Sequence, residues 1–256
     1  MRVLVTGAAG SIGRVVVPGL IELGHDVRGL DLQPAPTVEV VGDCLDTEVA
    51  ASAVRDCDAV VHLAGMPEEG ALASELQSHV LTTATLLDAM VAAGADRMVY
   101  ASSNHAVGMQ ESGRTLGVDI RPRPDTFYGV AKVAAEATLS LYADRRGIGS
   151  VAMRIGSFLP RPSTVRHLST WLSPDDCVRM VQAALTAEVR GVAVLYGISA
   201  NTRAWWDLAP GRALGYDPRD DAETFADEIA PGPDDDAEGS RVGGPYAGPA
   251  YSRPAS

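Results

Sequence analysis

The sequence predicts an α/β protein: a doubly wound, mainly parallel sheet of seven strands with a short C-terminal extension. Three observations carry that expectation. Short apolar runs alternate with longer segments of helical periodicity up to about residue 196, as strands linked by crossover helices do. The first run, Val3-Leu4-Val5, opens into Gly7, Gly10 and Gly13, a glycine turn between a strand and a helix. With 46% hydrophobic and 21% charged residues in 256 positions, the chain has the apolar content of a large core.

Taken in order, the strand over 2–6 feeds the glycine turn and an amphipathic helix that ends near Gly24. Gly-x-x-Gly-x-x-Gly permits a tight turn and close backbone approach to a pyrophosphate, with helix N–H groups aimed at it. The pattern is Rossmann-type, and Gly7, Gly10, Ser11, Ile12 and Gly13 are its candidate cofactor contacts. A second strand over 27–30 ends in Asp31, followed by Leu32. A carboxylate there accepts from the adenosine ribose hydroxyls and repels a 2′-phosphate, which favours NAD over NADP. A third strand over 38–41 ends at Gly42-Asp43, and a helix follows over about 46–55. The fourth strand, 58–63, contains His62, read as a packed strand histidine, and runs through Leu63 into Ala64-Gly65. Those small residues let a cofactor come close.

A long helix over 71–93 carries Leu76, Val80, Leu87 and Met90 at helical spacing. The fifth strand, 97–101, delivers Ser102-Ser103-Asn104-His105 at its C-terminal end, where open α/β sheets place their ligands. A helix to about Arg146 begins after Pro124, with Asp125 as its expected N-cap. The sixth strand, 150–155, leads to Gly156-Ser157 and a Pro-interrupted loop carrying Arg161, Arg166 and His167. A helix over 173–187, a seventh strand over 192–196 and a short helix over about 222–229 complete the body. The expected division is one catalytic domain over 1–230, with small substrate-binding segments at about 156–175 and 197–230. A Pro/Gly-rich tail occupies 231–256, either flexible or wrapped on the body.

A net charge of −12 removes the electrostatic footprint of a nucleic-acid binder. Part of it lies in the run Asp234-Asp235-Asp236, read as an aid to solubility. The three cysteines form no Cys-x-x-Cys pair, which points to structural thiols in a reducing compartment. No metal site is expected. No apolar run approaches the ~20 residues that span a bilayer, and no leader precedes the first strand. The expected location is the cytoplasm, with no membrane partner. Helices rich in small residues (Ala131, Ala134, Ala135, Ala137) would suit pairing into a homo-oligomer.

The sharpest chemical signal is Tyr128-Gly129-Val130-Ala131-Lys132. Lys132 is the only lysine among 21 Lys and Arg residues, and it falls four residues after a tyrosine, on the same helical face. An ammonium is a compact point charge that guanidinium does not replace in a tight site. A phenol titrates near ~10 in water, and both a neighbouring cation and the positive end of a helix favour its ionised form. Tyr128 is therefore expected to be an activated general base. Arg166 has the chemistry to grip a carboxylate with two parallel bonds; its bland alternative is a structural arginine.

Gly7-x-x-Gly10-x-x-Gly13, Asp31, Ser103 and Tyr128-x-x-x-Lys132 together resemble the extended short-chain dehydrogenase/reductase family. Within it, Ala101-Ser102-Ser103-Asn104-His105, Arg121-Pro122-Arg123-Pro124-Asp125, Arg154-Ile155-Gly156-Ser157, Leu168-Ser169-Thr170-Trp171 and Trp205-Trp206 look most like the bacterial uronate dehydrogenases. The resemblance implies Ser103, Tyr128 and Lys132 as the catalytic set. It implies Asn104, His105, Ser157 and Arg166, with Ser103 and Tyr128, as substrate contacts, and Asp31 and Asp43 as holders of the adenosine. Leu63, Ala64, Gly65, Tyr128 and Lys132 would join them around NAD. The implied reaction is oxidation of a hexuronate at C1 to its lactone. Two positions depart from the family pattern: His79 stands where an asparagine is usual, and Met66-Pro67 where the uronate enzymes carry a serine. Two other readings compete, a nucleotide-sugar epimerase or dehydratase of the same superfamily and a non-catalytic NAD-sensing regulator. The first usually has a larger C-terminal domain; the second has no need of Ser103, Tyr128 and Lys132 together.

Overall fold

The computed structural model describes residues 1–233, 235–248 and 251. Its elements run β1 (Arg2–Thr6), α1 (Gly13–Glu22), β2 (Asp26–Asp31), β3 (Val40–Val41), α2 (Thr47–Val54), β4 (Ala59–His62), α3 (Leu72–Glu75), α4 (Thr82–Ala93) and β5 (Arg97–Ser103). They continue with α5 (Phe127–Arg146), β6 (Gly149–Ile155), β7 (Ser157–Phe158), α6 (His167–Thr170), β8 (Trp171–Leu172), α7 (Pro174–Thr186) and β9 (Val192–Gly197). Seven strands form one sheet in the order β3-β2-β1-β4-β5-β6-β9, and every pairing in it is parallel. The chain leaves β1 in one direction and returns to β4 on its other side. That reversal opens a crevice at the C-terminal ends of β1 and β4.

Period-2 alternation divides the strands between two cores. Val3 and Val5 join Val61, Val99, Val151 and Met153 against α1 and α7. Leu4 joins Val60, Met98 and Ala152 against α2, α4 and α5 on the opposite face. Cys44, Cys57 and Cys177 are buried and unpaired. Among the described residues, no helix is long and apolar enough to cross a membrane.

Three local expectations are corrected. The third strand is only Val40–Val41, because the chain before it turns back to give a Thr37 Oγ1 bond to the Ala8 carbonyl (2.7 Å). The helix expected over 71–93 is interrupted by a π-helical turn, Leu76–Leu81, between α3 and α4. Finally, the N-cap of α5 is Thr126, whose Oγ1 accepts from the Gly129 N–H at 2.9 Å. Asp125 is diverted to His105, whose Nδ1 donates to the carboxylate at 2.9 Å.

The Pro/Gly-rich tail wraps the body. Val242 is fully buried with Val107, Leu116, Tyr196, Ile198 and Trp206. Asp234 of the acidic run lies outside the described residues, as do residues 249–250 and 252–256 of the tail.

Candidate active site

The crevice at the strand ends has a volume of about 860 Å³. Its floor is the glycine turn. Gly7 adopts φ +70°, and a Cβ there would lie 2.7 Å from the Ala64 nitrogen; one on Gly13 would lie 2.2 Å from the Gly7 carbonyl oxygen. β1, β4 and α1 therefore approach one another in a way only glycine allows. Ser11, Ile12, Asp31, Leu32, Asp43, Leu63, Ala64 and Gly65 line the same space with Gly7, Gly10 and Gly13. The Asp31 carboxylate is fixed at the lip by the Ala9 and Gln33 N–H groups, 2.9 Å each. Arg28 turns away, its Nη1 donating to the carbonyls of Ala53 (2.8 Å) and Arg55 (2.9 Å). A cradle that tolerates no Cβ, with a carboxylate in place of a cation at its ribose end, fits NAD.

At the far end of the crevice, Ser103, Tyr128 and Lys132 come together. β5 runs two residues further than expected and carries Ser103 directly into the site. Lys132 is 4% exposed. Its Nζ donates to the Ala101 carbonyl at 2.7 Å and lies 5.2 Å from the centre of the Tyr128 ring. Four residues along α5, Glu136 receives both Ser102 Oγ (2.5 Å) and the guanidinium of Arg154. Helix, strand and lysine are thus braced as one unit.

The electrostatics correct the expectation of a tyrosine already activated by its neighbour. Burial pushes the Tyr128 phenol up to about 12; the bond from Ser103 pulls the other way, and the charge of Glu75 adds to the rise. Burial also depresses Lys132 to about 7, with Glu75 and Glu136 opposing the fall. A shared low-dielectric pocket penalises phenolate and ammonium alike. Without an additional positive charge beside it, Tyr128 is protonated at neutral pH.

His79 also lines the crevice, meeting the Tyr128 ring edge-on at a centroid distance of 5.0 Å. Burial, then the charge of Lys132, depress it to about 2, so the imidazole is neutral. Its Nε2 donates to the Met66 carbonyl at 3.1 Å, so its 3.3 Å approach to Glu75 is a dipolar contact and not an ion pair. Met66 and Pro67 line the wall beside it. Glu69, in the same loop, takes the N–H groups of Phe127 and Tyr128 on its two carboxylate oxygens, 2.8 Å each. The residue sequence carries no local sign of that latch on the N-terminus of α5.

The remaining expected substrate contacts, Asn104, His105, Ser157 and Arg166, do not line the nucleotide crevice. They lie beyond its end. Gly156 closes the crevice, and Ser157 follows it, its Oγ 2.9 Å from Thr170 Oγ1 and 3.5 Å from Arg166 Nη1. Asn104 Nδ2 and Arg166 Nη2 both donate to the Val242 carbonyl. The His105 ring stands 5.8 Å from that of Tyr128 and 5.2 Å from that of Tyr246. Burial lowers the pKa of Arg166, its hydrogen-bond acceptors are neutral oxygens, and it forms no ion pair among the described residues. The contacts that Val242 and Thr170 make with Arg166, the place of Tyr246 and Asp125's role as partner of His105 escape sequence reading, although Thr170 and Val242 lie in segments that carry the family resemblance, because most depend on contacts between distant segments.

Comparison with known proteins agrees with this geometry. Residues 3–173 match the NAD dependent epimerase/dehydratase family. The chain is 39% identical over 241 residues to a uronate dehydrogenase of Agrobacterium fabrum, covering 91% of each chain. It is 35% identical over 255 residues to one of Pseudomonas putida, covering 96% of this chain and 95% of that one. Among solved structures, a tyrosine-to-alanine mutant of the Agrobacterium tumefaciens uronate dehydrogenase complexed with NAD superposes with a TM-score of 0.90 at 37% identity, covering 98% of this chain and 99% of that one. By its glycine cradle, its sheet order and these matches, the chain belongs to the NAD dependent epimerase/dehydratase family.

Proposed function

We propose that this protein oxidises a hexuronic acid, glucuronate or galacturonate, at C1 to the aldarolactone with NAD⁺ as oxidant. One observation carries the substrate class: Arg166 is a part-buried guanidinium whose hydrogen bonds all go to neutral oxygens, and among the described residues no carboxylate lies within ion-pair distance, the charges of Glu238 and Asp125 reaching it only from further away. A part-buried cation of that kind is complemented by an anion with two oxygens. The C6 carboxylate of a uronate is such a group, and the uronate dehydrogenases similar to this chain fit the same reading.

NAD⁺, when bound, accepts the hydride that leaves C1. Gly7, Gly10, Ser11, Ile12 and Gly13 would hold its pyrophosphate, Asp31, Leu32 and Asp43 its adenosine, and Leu63, Ala64, Gly65, Tyr128 and Lys132 the nicotinamide end. Ser103 hydrogen-bonds the C1 oxygen and orients it toward Tyr128. Tyr128, ionised once the positive charge of the bound nicotinamide lies beside it, would take the C1 hydroxyl proton as C1 becomes a carbonyl carbon within the ring. Lys132 stabilises the phenolate during that transfer. Arg166 and Ser157 grip the carboxylate while Asn104 and His105 meet ring hydroxyls, which fixes C1 against the reacting groups.

The test is NADH production across glucuronate, galacturonate, glucose, galactose and a UDP-sugar. Faster turnover of a neutral aldose than of either uronate sinks the substrate assignment, and reaction with the UDP-sugar alone points to an epimerase-type site. We assign the protein to the cytoplasm on its unpaired buried cysteines, and to a homo-oligomer on exposed apolar side chains of the π-helical turn (Leu81), α4 (Val91) and α5 (Val130 and Leu141). Ala131 and Ala135 are not available for such pairing, since both are buried in this chain's own core.

A further inference from the structure

The C-terminal segment does more than cover the sheet edge. Val242 N–H donates to the Gln110 carbonyl (3.0 Å), Gly243 N–H to Gly108 (2.9 Å), and Arg241 Nη1 to Met109 (2.9 Å). These bonds seat residues 241–246 as a strap along the loop that follows His105. Held there, the Val242 carbonyl points at two side chains from different parts of the fold. Asn104 Nδ2 donates to it from the end of β5 at 3.0 Å, and Arg166 Nη2 from the loop before α6. One oxygen with two lone pairs satisfies both donors.

The strap's glycines make this approach possible. At Gly243 a Cβ would lie 1.6 Å from Asp125 Oδ2, on the carboxylate that holds His105. At Gly244, φ is +62° and a Cβ would lie 2.5 Å from Arg166 Nε. That Nε is buried and has no hydrogen-bond partner. Tyr246 closes the end, edge-on to His105. These contacts fall on Asn104, His105 and Arg166, the side chains assigned to the sugar acid, and on Asp125, which holds His105; none of the four lines the nucleotide crevice.

Resting on the uronate reading above, we propose that the strap over residues 241–246 is a wall of the substrate site. In it the Val242 main-chain carbonyl is a positioning group that sets Asn104 and Arg166 for the sugar acid. It touches no reacting atom; it acts by fixing two donors at once, so that the guanidinium meets a carboxylate with little loss of side-chain freedom.

The experiment uses the full chain and the variant Gly244→Ala, whose new methyl group meets Arg166 at Nε. The expected result is a rise of about tenfold or more in KM for glucuronate and galacturonate. In the same protein, NAD⁺ affinity should stay within about twofold and kcat within about threefold, a split that general destabilisation would not produce. Hydrogen exchange at the Val242 and Gly243 amides guards against a variant that folds poorly. Slow exchange at both is expected in the parent, and fast exchange there with the sheet still protected overturns the strap whatever the variant does. A folded Gly244→Ala protein with an unchanged uronate KM overturns the positioning role alone, since the parent still turns over uronates. A parent that turns over no uronate overturns the reaction assigned above, and this proposal with it.

Discussion

Arg154 grips both oxygens of Glu136, Nε to Oε1 at 3.0 Å and Nη2 to Oε2 at 2.8 Å, with side chains only 4% and 11% exposed. The pair ties β6 to α5 one turn beyond Lys132, and Arg154 Nη1 also donates to the Val118 carbonyl at 3.0 Å. A buried pair contributes little when whole but is costly to break, because one partner is left as an uncompensated charge. Arg154→Met alone should destabilise the fold by about 3–5 kcal/mol in denaturant unfolding. Adding Glu136→Leu should recover much of that loss. Single and double variants of equal stability would show that the pair does not brace α5.

Lys132 should make the cofactor-free protein less stable. Its pKa is depressed by burial to about 7 in the folded chain, against ~10.4 in an unfolded one. Between those values the unfolded state binds more protons, so this residue's contribution to stability rises with pH, and its cost is fully present below about pH 7. Lys132→Met should therefore melt above the parent at pH 7, and the gap should narrow toward pH 10. A variant that melts below the parent at neutral pH would contradict this.

Tyr128→Phe keeps the ring contacts with His79 and His105 and removes only the hydroxyl. We expect kcat to fall by roughly 10²–10⁴ with NAD⁺ affinity little changed. In the cofactor-free site the phenol stands at about 12. Because the base works deprotonated, kcat/KM for uronate at saturating NAD⁺ should rise with pH. Its apparent pKa should lie well below 12, since the nicotinamide brings a positive charge to the phenolate. A rate independent of pH from 6 to 10 would remove Tyr128 from the proton transfer.

At the other end of the crevice, Asp31→Asn should cut kcat/KM with NAD⁺ by about tenfold, the loss expected for a charge-assisted hydrogen bond, and improve use of NADP⁺. Arg28 would not provide the new phosphate contact, because its guanidinium is committed to the Ala53 and Arg55 carbonyls; Arg14, on the crevice wall, is the available cation. Unchanged cofactor preference in Asp31→Asn would place ribose recognition elsewhere.

Much of this was legible because the signals were local. Short apolar runs with helical segments between them mark parallel strands wherever both faces are buried, as in β1, β4, β5 and β6. The glycine turn and Tyr128-x-x-x-Lys132 carry their chemistry within a few positions. Sequence reading failed where two local choices were equally good or where the partner was distant. Asp125 and Thr126 can each cap a helix, and only the presence of His105, twenty residues earlier, draws Asp125 away. Nothing near Val242 announces that its carbonyl meets Asn104 across 138 positions. The depressed basicity of Lys132 was also hidden, since spacing places an ammonium beside a phenol without revealing how dry the pocket is.

The reversal of chain direction beside β1 has a consequence for how such an enzyme can change. The groups assigned to the oxidant's pyrophosphate and adenosine come from residues 7–43, whereas the groups assigned to the acid's carboxylate, and the strap that holds them, come from residues 157–170 and 241–246. Ser103, Tyr128 and Lys132 stand between the two sets, with Asn104 and His105, assigned to the sugar's hydroxyls, next to Ser103 in the chain. A lineage could therefore exchange one sugar for another by editing the second set, with redox partner and proton acceptor inherited intact.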